Sequence, residues 1–213
     1  MKKNANQGKK KLTQAERTEL SDMRMLEAAA DLVLEVGTQN TTLKEVGLRA
    51  GYSRSLASLR FGSKEGLFLR LQHLQRKVWQ AELDEFSAGK EGLEALHATL
   101  DAIENLLEHN PRLIKAMYTV WFESVGHTSL FREHLQKRNR QARRAIATLV
   151  MQGIKVGNIS KDADPEAFAT IFLSGITGMI HQWLVSPEEI NVRGVLNDLR
   201  EYTEFALTKC KSV

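Results

Sequence analysis

The sequence predicts an all-α protein, and three observations carry that prediction. Apolar residues recur three or four positions apart along nearly the whole chain after residue 17. Alternating apolar–polar strand patterns and long-period repeats are both missing. Each of the three prolines follows a residue suited to cap a helix: Asn110-Pro111, Asp164-Pro165 and Ser186-Pro187. Proline at the first helical position lacks only a hydrogen that would be unpaired there anyway.

Residues 1–17 are polar and basic without periodicity, so a disordered basic tail is expected there. A first helix follows in "SDMRMLEAAADLVLEVG", with Met25, Leu26, Ala29, Val33 and Val36 on its apolar stripe and Gly37 at its C′ position. "TTLKEVGLRAG" starts a second helix at Thr42, with Glu45 at capping-box spacing, and stops it at Gly51. Ser53 caps a short third helix. Ser63 caps a long fourth one with a stripe of Leu67, Leu71, Leu74 and Val78. Further helices fit residues 91–109 and 128–157, the latter closing at Gly157-Asn158. The prolines place starts near 111, 165 and 187, the last supported by Glu189 three residues after Ser186. About nine helices result.

With 213 residues, 42% of them hydrophobic, the chain has ample material for a real core. The single cysteine, Cys210, excludes a disulfide framework within the chain and any cysteine-based zinc site, and it fits a reducing cytoplasm. No apolar segment follows the basic start, so it is not a secretory signal. The most apolar run, Phe168 to Val185, contains His181, Gln182 and several small polar residues. A buried interface helix explains it better than a membrane span, and no membrane partner is expected. Charge is uneven. Residues 1–64 hold 12 Lys/Arg against 7 Asp/Glu, a net +5, whereas residues 65–213 hold 18 against 19, a net −1. That asymmetry suggests a polyanion-facing module at residues 18–64 joined to something else at 65–213.

Two short helices around a tight glycine-containing turn, over about residues 42–61, make a helix-turn-helix. Gly47 is small where the helices cross, and Gly51 permits a positive φ at the turn. Ala57 and Phe61 share an inward face. The other face presents Arg54, Ser55, Ser58 and Leu59, which suits a DNA groove: arginine pairs with guanine, serine bonds base edges or phosphates, leucine meets a thymine methyl. Thr42, Ser53, Arg60 and Lys64 are candidates for phosphate or helix-end contacts. The bland reading of the same pattern is a solvated helical hairpin that binds nothing.

The segment resembles the N-terminal domain of TetR/AcrR-family transcriptional regulators. Gly37, "TTLKEV", "AGYS" and "FGSKEGLF" stand at the family's spacing, and the match covers about residues 18–75. Many members have Thr, Leu and Tyr where this chain has Leu56, Ala57 and Ser58, and aromatic residues where it has Leu59 and Arg60, so no operator transfers from a relative. The resemblance implies a repressor released from a palindromic DNA operator by a small-molecule effector, without a cofactor. It also implies a C-terminal ligand-binding and dimerisation domain whose last two helices pair into a four-helix bundle across a twofold axis.

Independent support for a homodimer lies in Ser174, Gly178 and His181, small or polar residues on one face, and in Val195, Leu199 and Tyr202 on the last helix. Packing of these faces within one chain is the alternative. "IKAMYTVWFESVG" places Met117 and Trp121 one turn apart, with Tyr118 and Phe122 beside them, and Phe172 is a candidate from a facing helix. Such a cluster could line a cavity for an apolar or aromatic effector, although core packing is the commoner meaning of the pattern. Arg138, Arg140, Arg143 and Arg144 form a basic cluster whose default reading is a solvated face, with an acidic ligand or a DNA-backbone contact as the minority one.

An enzyme is not expected. None of the six histidines forms H-E-x-x-H, and no phosphate-binding glycine loop or G-x-S-x-G elbow occurs. Glu123 and His127 at a spacing of four read as a surface pair before a metal site, and Cys210 has no base nearby. A sequence-nonspecific architectural DNA binder is the stronger rival; its affinity would fall with salt yet hardly differ between operator and random duplex.

Overall fold

The computed structural model describes residues 13–126 and 130–208, with nine α-helices among them and no strand. The basic segment 1–12, His127 and Cys210 lie outside the described residues.

Helix α1 (Gln14–Asn40) begins earlier than its sequence suggested. Residues 13–17, assigned above to a disordered tail, are ordered, because Thr13 and Glu16 form a complete capping box. Its T-x-x-E spacing was legible, but the polar composition around it masked the pattern. Gly37 breaks α1 at φ 76°, as its predicted C′ position requires, and Val36 before it is exposed rather than on the buried stripe.

Helices α2 (Leu43–Arg49) and α3 (Arg54–Phe61) start where Thr42 and Ser53 accept bonds from the backbone of Glu45 and Leu56. Gly51 takes φ 79° in the turn between them. A Cβ on Gly47 would sit 2.8 Å from the Ser53 carbonyl oxygen, so only glycine admits this crossing. Met25, Ala29, Val33, Val46, Ala57 and Phe61 close the small domain's interior.

Ser63 caps α4 (Lys64–Ser87), which runs unbroken from this domain into the larger one. Around it stand α5 (Leu93–His109), α6 (Pro111–Glu123), α7 (Leu130–Val156), α8 (Pro165–Val185) and α9 (Val192–Thr208). A single apolar core continues from Met25 in α1 to Leu207 in α9. The large domain is therefore built directly on the small one.

Two of the three proline starts stand, with different caps. Asp164 accepts from the backbone of Glu166 and Ala167, whereas the Asn110 side chain makes no cap bond. The third expectation fails: Ser186–Glu189 is one turn, closed by Glu189 N to Ser186 O, and α9 begins at Val192. Asn191 is the cap, accepting from Gly194 N at 3.0 Å. Asn191 directly precedes a run with apolar periodicity that starts at Val192, while the segment after Pro187 offers two glutamates and no apolar stripe to bury.

Helix α8 has the length and composition of a membrane span. Phe168, Ala169, Phe172, Ile176, Met179 and Ile180 nevertheless form one side of it that is buried in the core against its neighbours.

Candidate nucleic-acid interface and ligand cavity

The eight residues singled out around the helix-turn-helix fall into two groups. Four are engaged inside the domain. Thr42 and Ser53 spend their hydroxyl oxygens on the starts of α2 and α3. Arg60 turns back to α1, donating to Thr18 Oγ1 at 3.1 Å and lying 3.3 Å from Asp22, which Arg70 also approaches. Lys64 Nζ donates to the carbonyls of Thr38 and Gln39 at 3.1 and 3.0 Å, a cation placed on the frayed C-terminal end of α1. The other four share the outer side of α3. Arg54 and Ser55 are exposed, Ser58 is half-buried, and Leu59 is 79% exposed, a value no folding requirement explains. Among the described residues Arg54 has no ion pair.

Beside the continuous apolar core, three polar contacts among the described residues tie the small domain and the start of α4 to α6 and α7. Arg112 pairs with Asp31, Thr38 Oγ1 donates to Glu123, and Glu65 accepts from Phe131 N at 3.1 Å. Two of them bracket α6, whose ends are thereby fixed on α1.

A cavity of about 590 Å³ opens among α4, α5, α6, α7 and α8. Its volume falls in the range of small-molecule sites, roughly 300–1,000 Å³. Met117, Trp121 and Phe172, the sequence candidates for it, do not line it. All three are core residues, from 0% to 4% exposed. On α6 the face toward the cavity carries Ile114 and Tyr118, one turn apart, and the Met117–Trp121 row lies beside it. On α8 Phe172 packs on Phe168 with ring centroids 5.6 Å apart, and Leu173, Thr177 and Ile180 face the cavity instead. A stripe fixes which residues share a face, but its sense of rotation against the neighbours is a tertiary matter.

Sequence reasoning also put Arg138 on a solvated basic face. The structure places its guanidinium 3.9 Å above the Trp121 ring and at the cavity wall with Arg143, while Arg140 and Arg144 are exposed. Burial holds the Arg138 pKa below its ordinary value, and the Tyr118 hydroxyl beside it acts in the other direction. Burial likewise raises the Tyr118 pKa against the pull of Arg138.

On α8, Ser174 and His181 are exposed and Gly178 is half-buried; on α9, Val195 and Tyr202 are exposed and Leu199 is half-buried. His181 packs edge-on against Phe122 at 4.9 Å. The same outer surface includes Ile171, 50% exposed, and Val185, 69% exposed, which sequence reasoning had not singled out. Ser174 and Gly178 also border the cavity.

A two-domain helical chain with a helix-turn-helix and an interior cavity has close counterparts. Residues 25–71 match the model of bacterial regulatory proteins of the tetR family, and residues 92–208 match that of the BetI-type transcriptional repressor C-terminal domain. The chain belongs to the TetR family. It is thus a DNA-binding transcriptional regulator, in a family whose members act as dimers and respond to small molecules. The HTH-type transcriptional regulator BetI of Paraburkholderia xenovorans is 27% identical over 195 residues, 89% of this chain and 94% of that one. Two solved TetR-type structures share the fold at 21% identity. SmeT, repressor of the Stenotrophomonas maltophilia multidrug efflux pump SmeDEF, seen with triclosan, superposes with TM-score 0.73 over 90% of this chain and 93% of its own. A Saccharomonospora viridis regulator in complex with choline gives 0.74 over 90% and 100%.

Proposed function

We propose that this TetR-family regulator is a cytoplasmic homodimeric repressor, without catalytic activity or cofactor, that leaves a palindromic operator when a small apolar or aromatic effector fills the cavity. The exposed face of α3 carries the reading. Arg54, Ser55, Ser58 and Leu59 stand on the groove side, and Thr42, Ser53, Arg60 and Lys64 hold the helix ends and flanks that meet the phosphates. An effector bearing on Tyr118 and Gln75 would move α6 and α4, both of which are anchored to the small domain. A change in recognition-helix spacing of this kind lowers operator affinity only as far as the effector favours one dimer geometry over the other.

The test is selection of bound duplexes from a random pool, followed by affinities at two salt concentrations. A palindromic consensus is expected. Salt-sensitive binding without enrichment would favour the nonspecific binder. Arg54→Ala should relax specificity at its base position and cost about 1–3 kcal/mol on the operator. Equal losses on operator and random DNA would remove Arg54 from base reading.

The pairing face is proposed as Ser174, Gly178 and His181 on α8 with Val195, Leu199 and Tyr202 on α9. No atom lies within 4 Å of a Cβ placed on Gly178, so the protomer itself tolerates a side chain there. Gly178→Arg should therefore keep the helical spectrum and melting behaviour of a folded protomer yet block close approach of a second α8. Sedimentation should then show a monomer; a variant that remains dimeric would place the interface elsewhere.

A further inference from the structure

We infer that the cavity takes an amphipathic organic anion, with its carboxylate on Arg138 and its apolar body among the leucines and isoleucines of α5 and α8. This rests on the proposal that the cavity is the effector site, and it names the chemical class that site selects.

The charge inventory is one-sided. Every ionisable group around the cavity that is charged at neutral pH is basic, namely Lys90, Arg138 and Arg143, and no Asp or Glu lines it. Lys90 is exposed, which places it at the rim, whereas Arg138 lies deeper, against Trp121 and Tyr118. Among the described residues no carboxylate is paired with Arg138; its guanidinium donates to the neighbouring Asn139 carboxamide at 3.3 Å. A guanidinium withdrawn from water without a counter-charge is costly, and a carboxylate that meets it recovers part of that cost. The Trp121 ring covers one face of the guanidinium, and Asn139 and the Tyr118 hydroxyl take part of its N–H rim, so a carboxylate would pair with the remaining N–H groups. A phenol keeps its proton at neutral pH, and burial pushes the Tyr118 pKa further up, so its hydroxyl can donate to the same carboxylate. Gln75, 5% exposed, adds a buried amide on the α4 side.

Hydroxyl groups of Thr99, Thr170, Ser174 and Thr177 are scattered along the wall, but its continuous surface is apolar: Ile103, Leu106, Leu107, Ile114, Leu173 and Ile180. Such a surface suits a hydrocarbon or aromatic body and gives no hold to a small polar anion. A quaternary ammonium ligand, such as the choline bound by the S. viridis regulator, needs an electron-rich cage or a carboxylate. Here no carboxylate lines the cavity, the Trp121 face is already occupied by Arg138, and the charge of Lys90, Arg138 and Arg143 repels a cation from the remaining rings, Trp79 and Tyr118.

The test uses the full-length chain and calorimetric titration with matched probes: decanoate, decanol and decyltrimethylammonium, then naphthalene-2-acetate beside its alcohol. At least one carboxylate should bind about tenfold or more tightly than its alcohol, and the ammonium should bind weakest. Arg138→Gln should abolish that preference and leave alcohol affinity within about twofold. If Arg138→Gln does not fold, Arg138→Lys carries the test: it keeps the sign of the preference but loses several-fold in carboxylate affinity, because a point charge replaces a fork. Failure of both carboxylates to bind, parity with the alcohols, preference for the ammonium, or a preference indifferent to position 138 would each overturn the inference. Operator affinity measured separately keeps the two readings apart. Arg138-dependent carboxylate binding that leaves operator affinity unmoved upholds the ligand class and refutes release by that ligand.

Discussion

Phe172→Ala should lower the free energy of unfolding by about 3–5 kcal/mol, the largest stability loss expected from a single truncation in the C-terminal domain. Phe172 is fully buried at the middle of α8 and packs on Phe168. Deleting its ring removes transfer free energy and leaves a void that the surrounding helices fill only in part. The neighbouring Leu173 provides the contrast, since it is half-buried and faces the cavity. Leu173→Ala should cost distinctly less stability and should instead alter ligand affinity. Denaturant unfolding of the two variants, with titration of one ligand that binds the unaltered protein, separates a core role from a cavity role. A Phe172→Ala protein of near-native stability and weakened ligand binding would return Phe172 to the effector site.

Gly66→Ala is expected to damage DNA binding most among substitutions that do not touch the outer face of α3. A Cβ at position 66 would lie 2.1 Å from the Phe61 carbonyl oxygen, a main-chain atom with no rotamer to escape into. Relief requires α3 and α4 to move apart, and α3 is the helix proposed to enter the groove. Overpacking of this kind costs about 1–3 kcal/mol. Operator affinity should fall by about tenfold or more, because a rigid recognition helix is displaced from its register. Gly126→Ala is the control: among the described residues no atom comes within 4 Å of its Cβ, and its φ is not positive, so it should be close to neutral. Melting temperature and operator titration of both variants decide the matter; wild-type binding by Gly66→Ala would mean that the junction yields without cost. The close approach also gives a physical reason for the last glycine of "FGSKEGLF", which sequence reasoning had only recognised as a pattern.

Lys64 and Arg60 show that residue type alone leaves open which of two roles a basic group takes. Both were candidates for phosphate contacts or helix ends because they are basic and flank a helix-turn-helix. In the fold each is bound to α1, Lys64 through two carbonyls at its C-terminal end and Arg60 through Thr18 and Asp22. Sequence distance hides such partners: Thr18 and Arg60 are separated by 42 positions. The nearest basic groups to a groove can be the domain's own fasteners.

The sequence by itself determined what depends on neighbours along the chain. The all-α class, the caps at Thr42, Ser53, Ser63 and Asp164, the positive φ at Gly37 and Gly51, and the tight crossing at Gly47 all follow from local chemistry and helical periodicity. The tertiary structure decided how each helix is rotated against the others. That rotation put Tyr118 in the cavity while Met117 and Trp121 went to the core, and it drew Arg138 out of a supposedly solvated cluster onto the Trp121 ring. A helix's apolar stripe is wide enough to be buried in several rotations of nearly equal hydrophobic gain, so periodicity cannot choose among them. Side-chain packing and the pairing of buried polar groups do choose, and those terms arise only between residues that the chain brings together from afar.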